Sequence, residues 1–137
     1  MTKEAVLMVE TELPIMMTVA DATAIPKGSW IEIANPFTAT IHNGDEDYCG
    51  GVAAEEKIAN DGKLKVAVYM GGIFRAYGQA AITTGESVAL SSDVNELKKT
   101  DATCLGMKSV GFALTDCGAD NETFIMKLQL GAMTNGV

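Results

Sequence analysis

The residues best equipped for chemistry gather in one stretch, TIHNGDEDYCGG, from Thr40 to Gly51. It holds the only histidine, His42, and one of the three cysteines, Cys49. A Cys–His or Ser–His device needs the imidazole held beside its nucleophile. His42 is the one side chain suited to general-base work near neutral pH. The segment between it and Cys49 is flexible and acidic, however, so an ordinary loop histidine is the better reading. Asp45, Glu46 and Asp47 offer oxygens to a hard cation, which wants several of them around one centre. Three consecutive side chains cannot all point inward, and the D-x-[DN]-x-[DN]-G spacing of a calcium loop is absent. A solvated acidic loop fits better.

The glycine-rich run VAVYMGGIFRAYGQAAITTGESVAL, Val66 to Leu90, raises a second possibility: a ligand loop with Arg75 as its working group. Neither G-x-G-x-x-G nor G-x-x-x-x-G-K-[ST] occurs in it. A phosphate site would also need a helix N-terminus after the loop, and IFRAY is a strand by composition. LGMKSVG, Leu105 to Gly111, places Met107 and Lys108 between glycines, as biotinyl and lipoyl carriers do around their modified lysine. Only those two residues match. The expectation is no catalytic residue, no cofactor and no metal.

Composition narrows the partners. The chain has 137 residues, 10 Lys and Arg against 18 Asp and Glu, and a net charge of −8. Its longest basic run is Lys98-Lys99. A nucleic-acid binder needs a basic patch to displace counterions, so DNA and RNA are excluded as expected partners. No apolar run approaches the roughly 20 residues that span a bilayer, so no membrane is expected. Glu10 and Glu12 interrupt AVLMVETELPIMM before a signal-peptide core can form, which points to synthesis in a cytoplasm. Cys49, Cys104 and Cys117 are odd in number and lack C-x-x-C spacing, so free thiols are expected rather than a disulfide frame or a zinc site.

Strands must position whatever this chain uses. AVLMV (5–9), IMMTV (15–19), WIEIA (30–34), TATI (38–41), KLKVAVYM (63–70), IFRAY (73–77), SVAL (87–90), SVGFAL (109–114) and TFIMKLQL (123–130) are short, β-prone runs. Turn signals fall between them at Lys27-Gly28, Asn43-Gly44, Asp61-Gly62, Gly71-Gly72, Gly85 and Asp120-Asn121. SSDVNELKK (91–99) and AAEEKIA (53–59) are the only helix candidates, each short. The expected fold is all-β: a small β-barrel or sandwich, β-tulip-like, with an extended N-terminal segment and at most one or two short helices. Residues 1–24 are assigned to an N-terminal arm or first strands, and 25–137 to the barrel domain. AIPKGSWIEI (24–33) and AITTGESVAL (81–90) share A-I-x-x-G-x-x-[IV]-x-[IL], 57 residues apart. They read as chance likeness between turns or as two equivalent corners of one barrel. Gly71-Gly72 suits the positive φ of a type I′ hairpin, which would set Met70 opposite Ile73, Tyr69 opposite Phe74 and Val68 opposite Arg75. Both faces of that hairpin are apolar, so something must cover the second one, a partner or the barrel's own core. Arg75, Tyr77, Met70, Ile73 and Trp30 are the candidate contact residues, Arg and aromatics being enriched at interfaces.

Taken in order, IPKGSWIEI, GGVAAEE, VAVYMGGIFRA, GQAAITTGESVAL, SVGFALTDCG and FIMKLQLG resemble the head decoration, or capsid cement, proteins of tailed phages. The likeness runs from about Ile25 to Leu130. It implies a β-barrel-like domain, usually a homotrimer, seated on the outer face of a capsid where major capsid proteins meet. It implies no enzyme and places the protein on the virion after assembly in the host cytoplasm. Val6, Leu7, Met8 and Val9 would then be a capsid-binding arm that adds a strand to an exposed edge. The alternatives are another phage structural module, from a tail or fibre base, or a carrier domain modified at Lys108.

Overall fold

The computed structural model describes residues 3–45, 47–100 and 108–130. Within them the chain forms eleven strands: β1 Val6–Val9, β2 Ile15–Thr18, β3 Trp30–Asn35, β4 Thr38–Ile41, β5 Cys49–Ala53, β6 Lys65–Tyr69, β7 Gly71–Gly78, β8 Ser87–Leu90, β9 Glu96–Lys99, β10 Ser109–Ala113 and β11 Thr123–Gln129. No α-helix occurs among the described residues. The all-β expectation holds, and the strands close into small barrels.

There are two barrels rather than one. The first closes in the order β2-β4-β3-β5-β6, with β2 parallel to β4 and antiparallel to β6. The second closes in the order β7-β9-β8-β10-β11, with β7 parallel to β9 and antiparallel to β11. The two circuits are the same, strand for strand. Both break register at one matching place, between Ile31 and Glu32 on β3 and between Ser109 and Gly111 on β10. Four pairs of left-handed residues match as well, Gly28 with Gly85, Gly51 with Gly111, Phe37 with Asn95, and Asn60 with Asn121, while Gly62 and Gly72 have no left-handed counterpart. The repeated motif is therefore one corner of each barrel, not two corners of a single one. In each, the turn glycine donates to the end of the third-paired strand, Gly28 N to Ala53 O at 2.9 Å and Gly85 N to Ala113 O at 2.8 Å.

Two expectations fail for the same reason. Gly71-Gly72 makes no hairpin turn: β6 pairs with β2 and β5, whereas β7 pairs with β1, β9 and β11. The glycines instead carry the chain in extended form from the last strand of one barrel to the first strand of the next. The helix expected at Ser91–Lys99 is a turn followed by β9, because the second barrel closes only if Glu96 and Leu97 pair with β7. Residues 53–59 likewise form the end of β5 and a bridge from Lys57 to Ile25.

Each barrel carries its own apolar filling. Met17, Val19, Ile25, Ile31, Ala39, Ala53, Val66 and Val68 fill the first. Phe74, Leu90, Leu97, Val110, Phe124, Met126 and Leu128 are among those filling the second. That second cluster also takes in Trp30 and Val52, which stand on the first barrel, and Ala5 from the N-terminus. Neighbours Trp30 and Ile31 are both fully buried because β3 faces its own core on one side and the other barrel on the other.

Candidate functional site

The chemistry-bearing loop is used for structure. His42 is fully buried, and its Nε2 lies 3.2 Å from the Asp93 carbonyl in the β8–β9 turn. Burial holds its imidazole below the ordinary histidine value, against the opposing pull of that carbonyl. The Cys49 thiol is pushed up to about 12 by burial and exchanges hydrogen bonds with the Gly51 backbone. A thiol so far from ionising is no nucleophile. Asp45 pairs with Lys98 at 2.8 Å, bridging the barrels. Asp47 accepts from the Gly44 N–H at 2.8 Å. Glu46 and Cys104 lie outside the described residues. No group of three His, Cys, Asp or Glu is placed to hold a metal ion among the described residues.

Lys108 sits just before β10, its Nζ 5.1 Å from the centre of the Tyr48 ring, rather than on a hairpin tip. Met107 lies outside the described residues. Another lysine sits in a dense polar knot. Lys57 is fully buried at the closed end of the first barrel, where its Nζ donates to Asp61 Oδ1 at 2.7 Å, the Ile58 carbonyl at 2.7 Å and the Asp21 carbonyl at 2.9 Å. Burial pulls its pKa down, but Asp61 and Asp21 outweigh that and leave it raised. This knot fills the end of the barrel beneath the Ile25–Lys57 bridge.

What remains is surface. Arg75 is exposed and Tyr77 half-buried on β7, and they line an open groove with Glu4, Val6, Leu7 and Lys27. Val6–Val9 forms β1, antiparallel on this chain's own β7, with Val6 opposite Arg75 and Val9 opposite Ile73. Lys3 ties its start to Glu96 and Asn121 of the second barrel. Val6, Met8 and Val9 keep exposed side chains, and Leu7 turns toward the core beside Phe74. Trp30 is corrected: it is 0% exposed and cannot meet a partner.

Met70 belongs to a second surface that sequence reasoning missed. Together with Ile15, Met17, Ile33 and Phe37 it lines an apolar cleft of about 270 Å³ at the open end of the first barrel. Phe37, at φ 48° in the β3–β4 turn, is 68% exposed. The signal was available: Asn35-Pro36-Phe37 puts a large apolar side chain in a turn, where polar residues are the rule. The predicted contact residues thus divide between a mixed groove on the second barrel and an apolar end of the first.

The comparisons agree with this architecture. No curated protein matches the chain. Among solved structures it is similar to the N base of the head fiber gp8.5 of bacteriophage phi29, at 10% identity and a TM-score of 0.59, covering 90% of this chain and 98% of that one, a likeness of fold. A family model described as phage cement protein matches residues 9–128. The chain belongs to the phage cement proteins, structural virion proteins that stabilise the capsid.

Proposed function

We propose that this chain binds the outer face of a tailed-phage capsid, at contacts between major capsid proteins, as a homotrimer and without any catalytic activity. The observation that carries the capsid contact is the β1–β7 face. There an outer strand with exposed Val6, Met8 and Val9 runs beside a groove holding Arg75 and Tyr77. Among the described residues β1 pairs only with β7, which leaves its other backbone edge open to a further strand. Arginine and tyrosine beside apolar side chains are the usual anchors of such contacts.

A ligand that binds the mature shell but not its separated parts stabilises the shell by linkage, about 2.7 kcal/mol per site at a hundredfold excess over Kd. Three linked sites raise the affinity further without new contacts. The test uses particles purified without this protein and then incubated with it. Binding in a fixed ratio to the major capsid protein, with a raised temperature of DNA release, is expected. Arg75→Glu should abolish both and leave the protein's own size and melting temperature unchanged. Retained binding by Arg75→Glu would move the contact elsewhere. The base of a head fibre is a second reading, favoured by the fold likeness to such a base. It predicts a longer native gene product carrying this sequence.

A further inference from the structure

The repeat makes the two barrel ends directly comparable. Matching registers set Ile15 against Phe74, Ile33 against Leu90, Phe37 against Asn95 and Met70 against Leu128. In the second barrel this end is sealed. A cross-strand row on the outside of the first barrel, Trp30–Val52–Tyr69, sits over it. The Trp30 backbone N–H donates to Asn95 Oδ1 at 3.0 Å, and the Tyr69 ring meets Phe74 edge-on at 5.9 Å between centroids. Phe74, Leu90 and Leu128 are buried as a result. In the first barrel the same end is open, with Phe37, Ile15 and Met70 exposed around the apolar cleft.

We infer that a second copy of this chain seals that open end, using the row on its second barrel that corresponds to Trp30–Val52–Tyr69. That row is Ser87–Phe112–Lys127, in which Ser87 is buried within its own subunit and the contact falls to Phe112 and Lys127, continued by Ile73 on β7. Phe112, Lys127 and Ile73 are half-buried on the outside of the sheet, between neighbours that face the core. Phe112 takes the place of Val52 over the cleft, and Lys127 takes the place of Tyr69. Charge favours the fit: Glu12 lies against Gly71, beside Met70 at the rim of the cleft, and offers a carboxylate to Lys127. The occupant is argued from the molecule itself, since the one surface seen to seat this kind of barrel end is the outer row of another barrel of the same fold. A repeat whose terminal unit leaves its stacking face bare has a face made for one more unit.

Such a contact joins unlike surfaces, so copies meet head to tail, and the chain of contacts must close into a ring or grow. Closure at three copies rests on the trimer proposed above; the contact itself rests only on the repeat. Light scattering on size-separated protein tests it. Phe37→Asp spoils the cleft and Phe112→Glu spoils the row, and each alone should run as a monomer with wild-type circular dichroism. Mixed in equal amounts they should form one dimer, because the first variant keeps a sound row and the second a sound cleft. Should Phe112→Glu fail to fold, Lys127→Glu replaces it. A monomeric wild type, a Phe112→Glu or Lys127→Glu variant of wild-type size, or a mixture that stays monomeric would each overturn the inference. Failure of the wild-type protein, at its normal assembled size, to bind particles would instead count against the capsid-contact reading.

Discussion

The closed ends of the two barrels occupy the same place in the repeat and are plugged by different chemistry. In the first, Lys57 bridges Ile25 and its ammonium is wrapped by two carboxylates and two carbonyls. In the second, Cys117 bridges Ile82, and its thiol donates weakly to the Ala119 and Glu122 carbonyls at 3.3 and 3.5 Å. A buried ammonium is tolerated only when its donors are satisfied, whereas a thiol behaves as a small apolar group. The backbone is indifferent: both bridges are closed by paired N–H to carbonyl bonds of 2.8 to 2.9 Å. What the fold demands at this point is a filled end with no bare polar atom, and two unrelated side chains meet that demand.

The junction between barrels is where the repeat departs most, so it carries the largest expected effect. Trp30 fills the seam and its counterpart is Ser87, a residue with no comparable volume to lose. Trp30→Ala should cost roughly 3–5 kcal/mol, the range for emptying a large aromatic from a core. Ser87→Ala should cost about 1 kcal/mol, the usual value of a hydrogen bond. Urea unfolding of both variants checks this. A Trp30→Ala cost below that of Ser87→Ala would mean that the seam is not what joins the barrels.

The next comparison isolates the N-terminal strand. Gly28 and Gly85 hold the same turn at φ 90° and 94°. A Cβ on Gly85 would meet nothing within 4 Å, so Gly85→Ala bears only the left-handed strain of about 1–2 kcal/mol. A Cβ on Gly28 would lie 2.4 Å from the Ala5 carbonyl oxygen, because Ala5 N–H donates to Gly28 O and holds the strand there. Gly28→Ala should therefore cost clearly more. In a chain lacking residues 1–9 the two costs should converge. If they stay apart, something other than this strand distinguishes the corners.

These pairs also show what was legible in the sequence. The strands were, because short β-prone runs between turn glycines follow from period and turn chemistry alone. The repeat was visible only at one corner, where Ile25 and Gly28 match Ile82 and Gly85; elsewhere the paired positions carry unlike residues, such as Lys57 and Cys117. Gly71-Gly72 was misread because two glycines between β-runs are the signature of a hairpin, and composition cannot tell a turn from an extended crossing. Trp30 was misread for a related reason. Alternation shows that it faces away from Ile31, but not that a second barrel waits on that side. Arg75 and Tyr77 were found at the surface, where strand alternation places them. Phe37 was passed over, since its importance rests on its counterpart Asn95 being covered and itself being bare.

The smallest effect is in acid, and it distinguishes the two plugs. Lys57 holds the Asp61 carboxyl at about 2, helped by the N–H groups of Lys63 and Ile58. The ordinary value of 3.8 applies once the chain unfolds. The folded carboxyl thus prefers its charged form, so its contribution is complete above pH about 4 and is lost as pH falls toward about 2. In the second barrel Asp116 is also lowered, by the backbone N–H and then the hydroxyl of Thr84, but no buried cation stands behind it. Stability measured by urea midpoints from neutral pH down to about 3 should fall with acid in the wild type. Asp61→Asn should start lower at neutral pH and lose less on acidification, and Asp116→Asn should change the acid slope less. Equal slopes in the two variants would mean that Lys57 fills its barrel end as Cys117 does, by volume, and that its charge contributes nothing of its own.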